Sequence, residues 1–172
     1  ARRKTSATIC RSAGSMTPWC APSATRALIS SSVTPVDPLD GTKEFVAGRK
    51  EFTVNLALVT HGTPLLGIVS APALGLLWRG LVGQGAERLT LGEGVPVIEP
   101  VHTRLGPPSG QPWTVAVSRL HGDARTEAFI AARPGAMRAE LGSAVKFGRV
   151  AEGVVDVYPR LSPTSEWDVA AG

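Results

Sequence analysis

A layered α/β or α+β domain is what the sequence predicts. Two patterns predict it: short apolar strands separated by turn residues, then helix-start signals interleaved with further strands. Phe52 to Val59 (FTVNLALV) reads as a strand that is apolar on both faces, and His61-Gly62-Thr63-Pro64 reads as the turn after it. Leu65 to Ser70 (LLGIVS) is the returning strand and Leu76 to Val82 (LLWRGLV) the third, so the three form an antiparallel meander. Residues 91–112 carry many Gly and Pro and read as a long loop or irregular edge. Trp113 to Ser118 (WTVAVS) is another strand. Asp123 is placed to cap a helix running to Arg133, where Pro134-Gly135 ends it. Met137 to Leu141 reads as a short strand, Ser143 to Glu152 as a helix and Val154 to Tyr158 as a strand. Ser165 is the expected cap of a final helix starting at Glu166.

The charge is unevenly placed. The chain has 172 residues and a net charge of +4, yet residues 1–36 hold five basic residues and no Asp or Glu. The excess therefore belongs to that segment, and no aromatic interleaving accompanies it, so a nucleic-acid polymer is not the expected partner. Residues 1–35 are rich in Ser, Thr, Ala and Pro without steady periodicity and are expected to be atypical and disordered. A partial catalytic domain is expected over 36–172. Cys10 and Cys20 define no disulfide framework and match no zinc spacing. No apolar run reaches the roughly 18 residues of a transmembrane helix, and no secretory signal is read.

The densest chemical signal is Val36-Asp37-Pro38-Leu39-Asp40-Gly41-Thr42. Two carboxylates leave a strand and enter a Gly-containing turn. Hard cations such as Mg²⁺ take oxygen ligands, and Asp37, Asp40 and the Leu39 carbonyl can supply them. A helix turn beginning after Thr42 would face its free N–H groups toward a phosphate. Taken alone, the same pattern also describes a solvated Asx turn. The second signal is Glu166-Trp167-Asp168-Val169-Ala170-Ala171-Gly172. Asp168 there is either a ligand or an acid that suits the helix dipole.

Together the two motifs resemble the inositol monophosphatase superfamily. The longer stretch Asp37 to Phe45 (DPLDGTKEF) with Glu51-Phe52-Thr53-Val54-Asn55 narrows the resemblance to its CysQ-type 3'(2'),5'-bisphosphate nucleotidases. So do Val69-x-Ala71-Pro72, Val150-Ala151-Glu152-Gly153 and Tyr158-Pro159-Arg160 leading into Glu166-Trp167-Asp168. The resemblance implies an αβαβα sandwich, of which the family's N-terminal part and C-terminal end are not represented here. It implies Mg²⁺ as cofactor and a small phosphorylated nucleotide, adenosine 3',5'-bisphosphate, as substrate, hydrolysed to AMP and phosphate. It implies Asp37, Leu39, Asp40 and Asp168 as metal ligands. Gly41 and Thr42 would offer amides to the phosphate, and the Thr42 hydroxyl would orient the attacking water. A cytoplasmic place, including a peripheral one at the inner membrane, also follows from the resemblance.

Substrate-side candidates are Ser118 and His121 in an S-R-x-H stretch, Ser143 and Lys146 at a helix start, and Arg160 after the last strand. Arg suits phosphate because its planar fork binds two oxygens. A surface-loop His and a solvated Lys are the bland accounts of His121 and Lys146. Lys43 and Glu44 mark the subfamily without an assigned role.

Two alternatives stand beside the active nucleotidase. One is an inactive truncated or frameshifted remnant, since no acidic residue precedes Asp37 where the family uses further carboxylates. The other is an inositol monophosphatase-like enzyme, against which Lys43-Glu44-Phe45 argues. A haloacid-dehalogenase-type phosphatase needs one residue between its carboxylates, and a P-loop needs G-x-x-x-x-G-K-[ST]; neither is present. The sequence does not indicate an oligomeric state.

Overall fold

The computed structural model describes residues 32–119 and 122–172. The disorder expected for the first segment falls largely on residues 1–31, outside the described residues, as does His121.

A mostly antiparallel sheet is built from β1 (Ser32–Val33), β2 (Val36–Asp40), β3 (Thr53–Thr60), β4 (Thr63–Ala71), β5 (Leu76–Leu81), β6 (Gly85–Thr90) and β7 (Val97–Val101). Strands β3 to β7 pair in chain order, as a meander whose turns sit at His61-Gly62 and Gly83-Gln84 and at the helical turn Pro72–Leu74. Both β1 and β2 pair with β3 on its other edge, and the short helix α1 (Thr42–Val46) follows β2. Ser32 and Val33, in the stretch read as irregular, thus face Thr60 and Val59 across a ladder.

A second, parallel sheet joins β8 (Thr114–Ser118) to β9 (Met137–Leu141), with the helix α2 (Ala124–Ala131) between them in sequence. Asp123 caps α2 as expected: its Oδ1 accepts from the amides of Arg125 and Thr126 at 3.0 and 3.1 Å.

Helix α3 (Val145–Ala151) lies between the two sheets and is buried on opposite sides. Its Val145, with Ala144, packs against Val69, Ala71 and Trp78 of the large sheet. Its Val150 packs with Ala116 and Val155 beside the small sheet. The close approach to the large sheet depends on Gly148, because a Cβ there would fall inside the Trp78 ring. Sheet, helix and sheet therefore stack as layers of a mixed α/β fold.

The structure refines one expectation and corrects two. Residues 91–112, read as a long loop or irregular edge, contain an edge: Val97–Val101 forms strand β7 against β6. Pro96 and Pro100 obscured it in the sequence, yet an edge strand tolerates proline because one side of it needs no ladder partner. Val154 to Tyr158 is not a strand and makes only a single bridge, Val115 to Val157. The side chain of Asp156 takes the Thr114 amide at 2.7 Å, which diverts a donor from a regular ladder. The final helix is also shorter than expected, a single turn over Glu166–Asp168.

Candidate metal and phosphate site

Residues three apart in a regular strand point to opposite faces. Asp37 and Asp40 do not, because β2 is bulged. Asp37 pairs with Asn55 and Asp40 with Thr53, so β2 advances three residues while β3 advances two. Pro38 fits within the bulge because it has no N–H to lose. The extra residue turns both carboxylates to one face. Asp37 is further held by the Leu39 amide, which donates to its Oδ1 at 3.1 Å.

Asp168 arrives from the far end of the chain. Its Oδ2 accepts from Thr164 Oγ1 at 2.8 Å and from the Ser165 amide at 3.0 Å, which fixes the carboxylate as the turn begins. The turn is in contact with both β2 and β3. One oxygen from each of Asp37, Asp40 and Asp168 lies within 4.8 Å of the others. Burial raises the Asp37 pKa, and the charges of Asp40 and Asp168 raise it further, against the lowering effect of the Leu39 amide. Three converging carboxylates, two of which raise the pKa of the third, suit a divalent cation, whose charge relieves the repulsion on Asp37. The donor set is all oxygen, as Mg²⁺ requires.

Two of the three aspartates, Asp40 and Asp168, border a cavity of about 330 Å³. Gly41, Thr42, Ser118, Ser143, Lys146 and Arg160 line it with Asp40 and Asp168. Gly41 adopts φ +83°, and a Cβ there would meet Ser143 Cβ at 3.0 Å. Thr42 is exposed, and its hydroxyl donates to the Leu39 carbonyl at 3.4 Å. Ser143 is differently occupied from the sequence reading. Its hydroxyl donates to Asp40 Oδ2 at 2.6 Å and lies beside Thr53, so it holds a carboxylate as well as lining the cavity.

Lys146 is not a solvated lysine: it is 4 % exposed. Its Nζ donates to the carbonyls of Leu141 and Ser143 at 3.2 and 2.5 Å. Burial lowers its pKa from 10.5 to about 8, with Arg160 adding to the shift and Asp40 opposing it. The charged form is thus destabilised in the folded state. The cost is absent above about pH 10.5, grows as the unfolded chain protonates first, and is complete below about pH 8. Replacing Lys146 by Met should therefore stabilise the fold by about 2–3 kcal/mol at pH 7, at about 1.4 kcal/mol per pKa unit, and by little at pH 10.5. Thermal melts at the two pH values check the sign. An equal effect at both would mean that packing, not charge, governs the position.

Several residues of the site had no sequence signal strong enough to find them. Glu44 is buried at 6 % exposure in the cavity wall. Glu51 pairs with Arg119 and accepts from the Gly142 amide at 2.9 Å, clasping the start of β3 to the ends of β8 and β9. Burial alone would raise the Glu51 pKa, but these partners lower it on balance. Tyr158 and Thr164 also line the cavity. The Lys43-Glu44-Phe45, Glu51-Phe52-Thr53-Val54-Asn55 and Tyr158-Pro159-Arg160 motifs pointed to this region, but none indicated contacts across the fold.

A sequence model of the inositol monophosphatase family matches residues 21–172. The chain belongs to this family. It is 39% identical over 137 residues to the 3'(2'),5'-bisphosphate nucleotidase CysQ of Escherichia coli K12, covering 80% of this chain and 52% of that protein. The crystal structure of CysQ from Bacteroides thetaiotaomicron superimposes with a TM-score of 0.70 at 35% identity, over 82% of this chain and 56% of that one. SuhB of Mycobacterium tuberculosis shares the fold, with a TM-score of 0.65 at 23% identity over 81% of this chain and 57% of that one. The chain therefore spans about half the length of the curated relatives it matches. No helix among the described residues is long and apolar enough to cross a membrane.

Proposed function

We propose that this chain carries the metal and phosphate site of a Mg²⁺-dependent phosphomonoesterase, a 3'(2'),5'-bisphosphate nucleotidase that converts adenosine 3',5'-bisphosphate to AMP and phosphate. The observation that carries the reading is a cluster of three converging carboxylates, two of which, Asp40 and Asp168, share a cavity with Lys146 and Arg160. A dianionic phosphate meets cationic groups there, and a cation meets acidic ones. The identity to CysQ proteins and the Lys43-Glu44-Phe45 stretch support the nucleotide over an inositol phosphate.

In this reading Asp37, Asp40, Asp168 and the Leu39 carbonyl hold the ion. Bound Mg²⁺ supplies Lewis acidity and an activated water. The chain's own groups position the reactants. Gly41 and Thr42 offer amides to the phosphate, and Ser118, Ser143, Lys146 and Arg160 neutralise or hydrogen-bond its remaining oxygens and those of the second phosphate. The Thr42 hydroxyl orients the water. The water oxygen bonds to phosphorus as the bond from phosphorus to the ribose oxygen breaks, and the ribose oxygen takes a proton.

Phosphate release from adenosine 3',5'-bisphosphate and from inositol monophosphate, measured side by side on the complete protein, tests the assignment. The nucleotide is expected to be turned over at least about tenfold faster, a difference of about 1.4 kcal/mol in the barrier, and chelation of Mg²⁺ should stop both reactions. Equal turnover would move the assignment to a general inositol-phosphatase-like enzyme.

A further inference from the structure

The bulge in β2 sets each aspartate of the first motif opposite a buried polar residue on β3. Asp40 faces Thr53, and Asp37 faces Asn55. Cross-strand partners project from the same face of a sheet. Thr53 is 0 % exposed and its hydroxyl donates to Asp40 Oδ2 at 3.4 Å. Asn55 is 1 % exposed and lies on the same face, two residues along. Yet neither its Oδ1 nor its Nδ2 has a hydrogen-bond partner. β3 is also in contact with the turn that presents Asp168.

A buried amide left unsatisfied is unfavourable, and an apolar side chain of the same shape would remove that penalty. A sequence that places such an amide beside three converging carboxylates has a use for it other than packing. We propose that Asn55 is a positioning residue of the cation site, whose amide N–H groups donate to the Asp37 carboxylate when a divalent ion draws the three aspartates together. Asp37 Oδ1 already accepts from the Leu39 amide, so the carboxylate is then held from two directions. Thr53 and Asn55 form one polar floor, each beneath one aspartate. The inference rests on reading the three aspartates as a cation site.

The test is Mn²⁺ binding to the full chain, followed by the electron paramagnetic resonance of the free ion, with thermal melts in the absence of metal. Asn55→Leu keeps the shape and removes both polar ends. It is expected to weaken Mn²⁺ binding about tenfold, the lower end of what loss of a ligand-orienting group does. The metal-free melting temperature should hold or rise. Unchanged affinity would overturn the proposal. A fall in the metal-free melting temperature would overturn it too, by assigning Asn55 to folding. If Asn55→Leu does not fold, Asn55→Ala is measured in its place, with the same loss of affinity expected and the same unchanged affinity overturning the proposal. Asp37→Asn separates the two layers of the reading. If it abolishes binding while the Asn55 variant binds normally, only the role of Asn55 fails. If it also binds normally, the cation site itself fails.

Discussion

Asp37→Asn is expected to abolish divalent-cation binding and to lower phosphate release by roughly 10³-fold, while raising the thermal stability of the metal-free chain. The two effects have opposite signs for one reason. An oxygen of Asp37 lies within 4.8 Å of oxygens from Asp40 and Asp168. Burial raises its pKa above 3.8, and those two charges raise it further. For an acid whose folded pKa is raised, the unfolded chain ionises first. Stability is therefore lost as pH rises from 3.8 through the folded pKa, and the cost is fully present above it. Asn keeps the acceptor for the Leu39 amide and removes the charge, so the metal-free fold gains. Cation binding loses a charged ligand that water does not replace well. If the site holds Mg²⁺ as proposed, the Lewis acidity that depends on this ligand would lower the barrier by several kcal/mol, and about 1.4 kcal/mol is a factor of ten. Melts with and without Mn²⁺, beside phosphate release on the complete protein, check both signs. A metal-dependent rise in melting temperature retained by Asp37→Asn would remove Asp37 from the site.

Glu152→Ala is expected to destabilise the fold by about 3–5 kcal/mol, a large part of the roughly 5–15 kcal/mol that holds a domain together. The Glu152 side chain is 5 % exposed. Its Oε1 accepts from Trp78 Nε1 at 2.8 Å and Arg88 Nη1 at 3.2 Å, and its Oε2 from Arg149 at 2.8 Å. One carboxylate thus ties the end of α3 to β5 and β6. Close to the ring on which Gly148 packs, removal takes this acceptor from the Trp78 indole N–H and from the Arg149 guanidinium, while Arg88 keeps Glu99. At roughly 2–4 °C per kcal/mol for a chain of this size, the melting temperature should fall by about 10 °C. Glu152→Gln keeps the shape and one acceptor and should lose less. Thermal unfolding followed by circular dichroism and tryptophan fluorescence measures the difference. A loss below about 1 kcal/mol would mean that the apolar contact of α3 with Trp78 holds the layers without the carboxylate.

The legible parts of this fold are those whose physics is local. The meander from β3 to β5 is carried by apolar runs and by turn residues such as His61-Gly62. Asp123 caps α2 through a contact within four residues. Where a contact from elsewhere decided the outcome, the reading failed. Asp156 spends its carboxylate on Thr114, 42 residues away, and the stretch from Val154 to Tyr158 is not a strand. Lys146 looks solvated by residue type and is buried because α3 is enclosed by both sheets. For residues 91–112 the loop and the irregular edge stay open in the sequence, because prolines such as Pro100 are tolerated at an edge and a single strand does not show whether it is one.

The sequence by itself determined the family and the candidate ligands. The residue types and order of Asp37, Asp40 and Asp168, with the motifs between them, identify the family and the atoms available for a cation. What only the tertiary structure decided is how those atoms meet. Spacing alone sends Asp37 and Asp40 to opposite faces of a strand, and the one-residue register shift against Asn55 and Thr53 returns them to one. Asp168 stands 128 residues from Asp40 and reaches it because the turn it begins packs on β2 and β3. Local sequence specifies which groups exist and which way the backbone turns nearby. Convergence requires strand register and the packing of distant segments, which depend on the whole chain folding at once.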